Sequence, residues 1–182
     1  MKLSIPFAFL VSTLLCACAN PLNRVTSDNY AETCAIAENN GKLDVAEQAC
    51  YRALVNVDWG NLGPELKSQR LYNLGRIKLR LSKVSEAESL FKESLQIEEK
   101  LSAPLDVKIG RRLVVLSVSL AGQNKWSEGT PLLERMLPIA TQFSGKERAS
   151  SAEVLTLYSK QLRKTNDIAV AERFEAKALA LR

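Results

Sequence analysis

The chain has 182 residues, with 25 basic and 20 acidic side chains, no histidine and a formal net charge of +5. The absence of histidine excludes Ser-His-Asp and Cys-His catalysis, histidine general bases and histidine-ligated zinc. The mild basic excess is spread along segments that also carry many acids, so it is no nucleic-acid signature.

The first twenty residues, MKLSIPFAFLVSTLLCACAN, have the layout of an export signal: one charge at Lys2, an apolar run from Ile5 to Leu15, then small residues. The run is shorter than the roughly 20 apolar residues a bilayer span needs, so it reads as a removed targeting segment. Its end, Leu15-Cys16-Ala17-Cys18, resembles the lipobox of bacterial lipoproteins, with Leu three places before the acceptor and a small residue just before it. Cys16 is a poor acceptor because bulky Leu15 precedes it. The resemblance implies a signal peptide over 1–17, a lipid-modified Cys18 and, because Ala19 and not Asp follows it, delivery to the outer membrane, facing the periplasm. A lipidated Cys and tether over 18–26 then lead into a helical domain over 27–182. The tether, Ala19 to Thr26, spans at most about 28 Å when extended.

From Ser27 onward, apolar residues recur at three- and four-residue spacing, as in Leu71, Leu74, Leu79 and Leu81, then Ala87, Leu90, Phe91 and Leu95. No alternating strand pattern competes with them. Gly60, Gly63-Pro64, Ala103-Pro104 and Ser144-Gly145 fall between the runs and punctuate them into helix pairs. Four segments align with one another, starting at Tyr30, Leu71, Leu113 and Leu155 and ending at Leu54, Leu95, Leu137 and Leu179. Their starts lie 41 or 42 residues apart, the mark of a structural repeat.

Each unit predicts a helix, a tight turn and a second helix. In the second, Leu71, Leu74 and Gly75 occupy large, large and small places, and Ala87, Phe91 and Ser94 small, large and small ones. Corresponding places hold Tyr30, Thr33, Cys34, Ala46, Cys50 and Ala53 in the first unit. The third has Leu113, Leu116, Ser117, Gly129, Leu133 and Met136, and the fourth Leu155, Tyr158, Ser159, Ala171, Glu175 and Ala178. Small residues let two helices approach, and the neighbouring large side chain fills the groove. Met136 is larger than the pattern wants. Glu175 is charged where an apolar residue is expected, which suits a last helix with no neighbour. With this register the units resemble tetratricopeptide (TPR) repeats of the long-linker, kinesin-light-chain-like kind. The resemblance implies an all-α, right-handed superhelix of about four helix pairs, an α-solenoid.

Cys34 and Cys50 fall at the small and large places of one unit, so their side chains should face each other. In an exported protein this favours a disulfide closing a loop of about 16 residues, which contributes roughly 3 kcal/mol in the chain-entropy model; a buried pair of free thiols is the alternative. In the TPR family the first helix of each unit lines a concave wall where partners bind. That register places Gln69, Tyr72, Arg76 and Arg80 on the wall from the second unit, Arg111, Val114 and Val118 from the third, and Lys160, Arg163 and Lys164 from the fourth. Such a basic wall with an apolar middle suits a partner segment with acidic residues flanking an apolar anchor. Trp59 and Trp126 read as local packing residues.

The chain therefore reads as a lipid-anchored, non-enzymatic scaffold of the bacterial envelope that presents a groove to another envelope protein or peptide. The resemblance to envelope lipoproteins with such repeats implies a part in the assembly of pili, secretion channels or wall-synthesis complexes, without selecting one of them. No cofactor, metal, small-molecule substrate or nucleic acid is expected. Alternatives are a structural envelope protein that touches acidic lipid or wall polymer, and an enzyme using Asp, Glu or Lys chemistry. Against the enzyme stand the missing histidine and the lack of a phosphate-cradling glycine loop.

Overall fold

The computed structural model describes residues 20–103 and 106–182. The export signal and Cys18 lie outside the described residues. Within them the chain forms α1 (Pro21–Asn39), α2 (Leu43–Gly60), α3 (Pro64–Arg80), α4 (Val84–Leu101), α5 (Val107–Ala121), α6 (Trp126–Met136), a 3-10 turn (Ala140–Gln142), α7 (Gly145–Lys164) and α8 (Ile168–Ala180). Each odd-numbered helix packs against the even-numbered one after it, and each pair stacks on the next through α2 with α3, α4 with α5 and α6 with α7. The expected solenoid of four helix pairs is borne out. No helix among the described residues is long and apolar enough to cross a membrane.

One turn design recurs in all four units. Gly41, Ser82, Asn124 and Asn166 each take positive φ, at 71°, 60°, 59° and 63°. The next residue's N–H then closes back on the last helical turn: Lys42 to Ala37 O, Lys83 to Lys78 O, Lys125 to Leu120 O and Asp167 to Leu162 O, each at 2.9 Å. This is the Schellman closure, in which a left-handed residue satisfies carbonyls that the helix end would leave bare. The repeat is thus fixed by turn chemistry as well as by apolar spacing.

Close packing at the small places is literal. A methyl group on Gly75 would come within 2.5 Å of the Phe91 ring, and one on Gly129 within 1.8 Å of Tyr158 Oη. The first unit has an interior of small residues, Ala37, Ala46, Ala49 and Ala53, around Cys34 and Cys50. Those two cysteines are bonded as a disulfide, with Cα atoms 5.2 Å apart. A crosslink at the small and large places does there what an aromatic ring on glycine does in the second unit.

A buried polar ladder joins the first three units. Arg70 donates from Nε to Ser27 Oγ at 3.2 Å and from Nη2 to Asp28 Oδ1 at 2.5 Å. One unit later, Arg112 donates to Ser94 Oγ and Ser68 Oγ, both at 3.1 Å, and its Nη2 lies 3.0 Å from Glu98 Oε2. At the third junction the equivalent places are apolar: Gly110 replaces the serine, Met136 the second serine and Val154 the arginine. Ile139 and Phe143 from the following linker close over Gly110. Met136 is fully buried in this apolar junction, which accounts for its departure from the small-residue pattern.

Three expectations change on detail. Residues 21–26, expected in the tether, belong to α1, because Asn20 caps the helix by accepting from Leu22 N–H at 3.0 Å and Pro21 follows in the first helical place. The large place of the fourth unit is filled not at Glu175 but by the preceding Phe174, which is fully buried. Glu175 stays partly exposed and pairs with Arg163. Trp59, expected to pack locally, is 78% exposed, because Val57 and Gly60 take the buried positions at the end of α2.

Candidate interaction cleft

The first helices of units two to four, α3, α5 and α7, bound an open cleft of about 440 Å³. Its apolar part is built by Tyr72, Val114, Val115 and Phe143, and its polar rim by Arg76, Arg111, Lys146, Glu147 and Ser150. Residues 72 and 76 on α3, and 111, 114 and 115 on α5, share one helical face at three- and four-residue spacing, which is why both helices turn them the same way. The Tyr72 ring is fixed from two sides, tilted against Phe91 at a centroid distance of 6.1 Å and lying under the Arg112 guanidinium at 5.1 Å. Burial pushes its phenol pKa up, so the hydroxyl stays protonated.

Gln69 lines a smaller adjoining hollow of about 200 Å³, which shares Tyr72 and Arg111 with the main cleft. Of the other residues expected on the wall, Val118 is half-buried beyond the cleft. Arg80, Lys160, Arg163 and Lys164 are exposed and do not line it.

The wall is less basic than its composition. Glu38 lies 2.6 Å from Arg76 Nη2 and 3.3 Å from Arg80 Nη1, and so serves both arginines. Arg163 forms a two-pronged pair with Glu175 at 2.7 and 2.6 Å. Arg111 Nε sits 2.7 Å from Glu147 Oε1, but its N–H finds no aligned acceptor, so this is a charge contact without a hydrogen bond. Among the described residues, Lys146, Lys160 and Lys164 have no carboxylate within ion-pair range. Lys146 is the one of these on the cleft.

On the α7 side the cleft is made by Lys146, Glu147, Ser150 and Ser151, well before Lys160. The signal for them is the length of α7, 20 residues against 15 for α5, which adds helix ahead of the repeat. Phe143, in the linker, has no counterpart in the repeat register and could be found only from the packing. Trp126 packs edge-on against Tyr158, with centroids 5.1 Å apart. No group of three or more His, Cys, Asp or Glu that could hold a metal ion occurs among the described residues.

No protein-family profile matches the sequence, and no curated protein sequence does. Solved structures match over most of the chain. BtubC (BKLC) from P. vanneervenii is similar with a TM-score of 0.75 and 18% identity, over 88% of this chain and 64% of its own. The chain thus spans just under two thirds of BtubC's length. A Podosopora anserina protein described as a kinesin light chain with nearly identical TPR-like repeats matches with a TM-score of 0.66 and 15% identity, over 85% of this chain and 74% of its own. At these identities the likeness bears on the fold alone. Taken with the repeated turns and the small-against-large packing, it shows that the chain folds as a TPR-like α-solenoid.

Proposed function

We propose that this chain is a lipid-anchored, non-enzymatic scaffold of the bacterial envelope whose cleft between α3, α5 and α7 holds a segment of a partner protein. The observation that carries the reading is the cleft itself: successive repeats pool an apolar floor of Tyr72, Val114, Val115 and Phe143 beneath a charged rim. Such a site recognises an apolar anchor desolvated at the centre, with polar selection at the edge. Because Arg76 and Arg111 are already engaged by carboxylates, an acidic partner residue would meet Lys146 directly or compete with Glu38 and Glu147. The anchor reading is supported by the Leu15-Cys16-Ala17-Cys18 sequence.

A photo-crosslinking residue placed at Val115 in the full-length protein, in cells, tests the cleft. One saturable protein adduct is expected, lost when Val114→Arg fills the floor and absent when the crosslinker sits at exposed Tyr51. An adduct unaffected by Val114→Arg would remove the cleft from the function. Binding that falls steeply with salt and shows no peptide selectivity would favour a structural role against acidic polymer.

A further inference from the structure

The geometry points to a second contact surface: the end of the first unit that carries Leu22, Val25 and Trp59 lies in the interface of the bilayer that holds the lipid. This rests on the anchor at Cys18 proposed above. Helix pairing places the start of α1 beside the end of α2. Asn20 N–H donates to Gly60 O at 3.4 Å, and a methyl group on Gly60 would come within 2.7 Å of Asn23 Cβ. Trp59, one residue before that contact, is 78% exposed, and on the first turns of α1 Leu22 is 74% and Val25 58% exposed. Three large apolar side chains therefore stand uncovered at the point where the chain leaves toward Cys18.

The occupant follows from the length of chain that remains. Helix α1 begins at Pro21, so only Ala19 and Asn20 separate it from Cys18. Three residue steps reach at most about 11 Å. With its acyl chains in the membrane, Cys18 would hold Leu22 and Trp59 at headgroup depth. Tryptophan favours that layer, having an apolar body and one N–H donor for the wet side. The same edge of the solenoid, where every even-numbered helix ends, also exposes Leu101 and Leu179. Lys100, in the repeat position equivalent to Trp59, is exposed there without a carboxylate in range among the described residues, and suits an anionic headgroup. The short distance between Cys18 and α1 in the sequence thus decides which end of the solenoid meets the membrane.

Tryptophan quenching tests this with the full-length lipidated protein in phosphatidylethanolamine/phosphatidylglycerol vesicles, with or without brominated acyl chains. The wild-type chain has two tryptophans, so Trp59→Phe leaves Trp126 alone as the reference. Bromination should quench the Trp59 share of the emission at least twofold and leave the Trp59→Phe protein nearly unchanged, and Leu22→Asp should weaken the quenching. If the protein floats with the vesicles and carries lipid on Cys18 but Trp59 is unquenched, or is quenched no more than Trp126, the membrane face is overturned while the anchor stands. If Cys18 is unmodified by mass and the protein does not float, anchor and membrane face fall together.

Discussion

Arg112 reaches 44 residues back along the chain to Ser68, and its guanidinium meets the serine oxygen at 3.1 Å inside the junction between the second and third units. The same guanidinium neutralises Glu98, which is 1% exposed and also accepts from Ser68 and Ser102. Removing one member of such a buried pair strands the other, whereas removing both leaves a site that can be filled with apolar atoms. Arg112→Leu is therefore expected to cost about 3–5 kcal/mol, and Arg112→Leu with Glu98→Leu substantially less. Urea unfolding of the two single variants and the double variant gives the coupling; additive losses would mean that the pair does not act as a unit.

Gly129 and Tyr158 make the same kind of argument for the third junction with sterics in place of charge. The Tyr158 ring is fully buried and its hydroxyl donates to Ser117 O at 2.7 Å, so it cannot retreat from a methyl group 1.8 Å away. Gly129→Ala, which should help an isolated helix, is expected to destabilise this one by about 1–3 kcal/mol. Tyr158→Phe costs about 1 kcal/mol alone, and in the Gly129→Ala background it should recover stability by removing the clashing oxygen. Thermal melts of the three variants read this out.

The disulfide stands in for bulk in the first unit. Its loss through Cys34→Ser with Cys50→Ser should lower stability by roughly 3 kcal/mol. The loss should be local: hydrogen exchange rises in α1 and α2 while α5 to α8 keep their protection, because solenoid units depend mainly on their neighbours. A uniform rise across all helices would contradict this.

Low pH should loosen the junctions through lysines that reach back to the preceding unit. Burial by itself would raise the Glu88 carboxyl, but hydrogen bonds from Lys92, Lys125 and Gln123 outweigh it and hold the pKa at about 2, below the ordinary 4.5. In the preceding unit, hydrogen bonds from Lys78 and Lys83 likewise lower Glu47. A carboxylate with a depressed folded pKa contributes stability in full above its ordinary pKa, and that contribution is lost as pH falls toward the folded value. Glu88 thus supplies at most about 3 kcal/mol, reduced by the water around its two lysines, lost between about pH 4.5 and 2. Urea midpoints of the wild type and Glu88→Gln should differ at pH 7 and converge only as the pH falls to about 2; a constant difference would refute the assignment.

The four units, their turns and their packing register were legible in the sequence because they are local: apolar spacing sets each helix, and one left-handed residue sets each turn. So was the cysteine pair, since the register brings positions 34 and 50 face to face; the start of α1 was not, because the apolar repeat pattern sets in only at Ser27 and the Asn20-Pro21 cap lies ahead of it. Which charges stay free was not legible, because Glu38, Glu147 and Glu175 reach Arg76, Arg111 and Arg163 across helices, and composition counts a paired arginine as it counts a bare one. Phe143 and Lys146 enter the cleft only because Gly110 lets the third linker close down and α7 starts early. Local periodicity by itself determined the helices and their repetition in pairs, and the resemblance of that register to TPR repeats implied the solenoid. Contacts between residues distant in the chain decided where its surface is open, since an ion pair or a filled groove depends on distances that only the stacked repeats set.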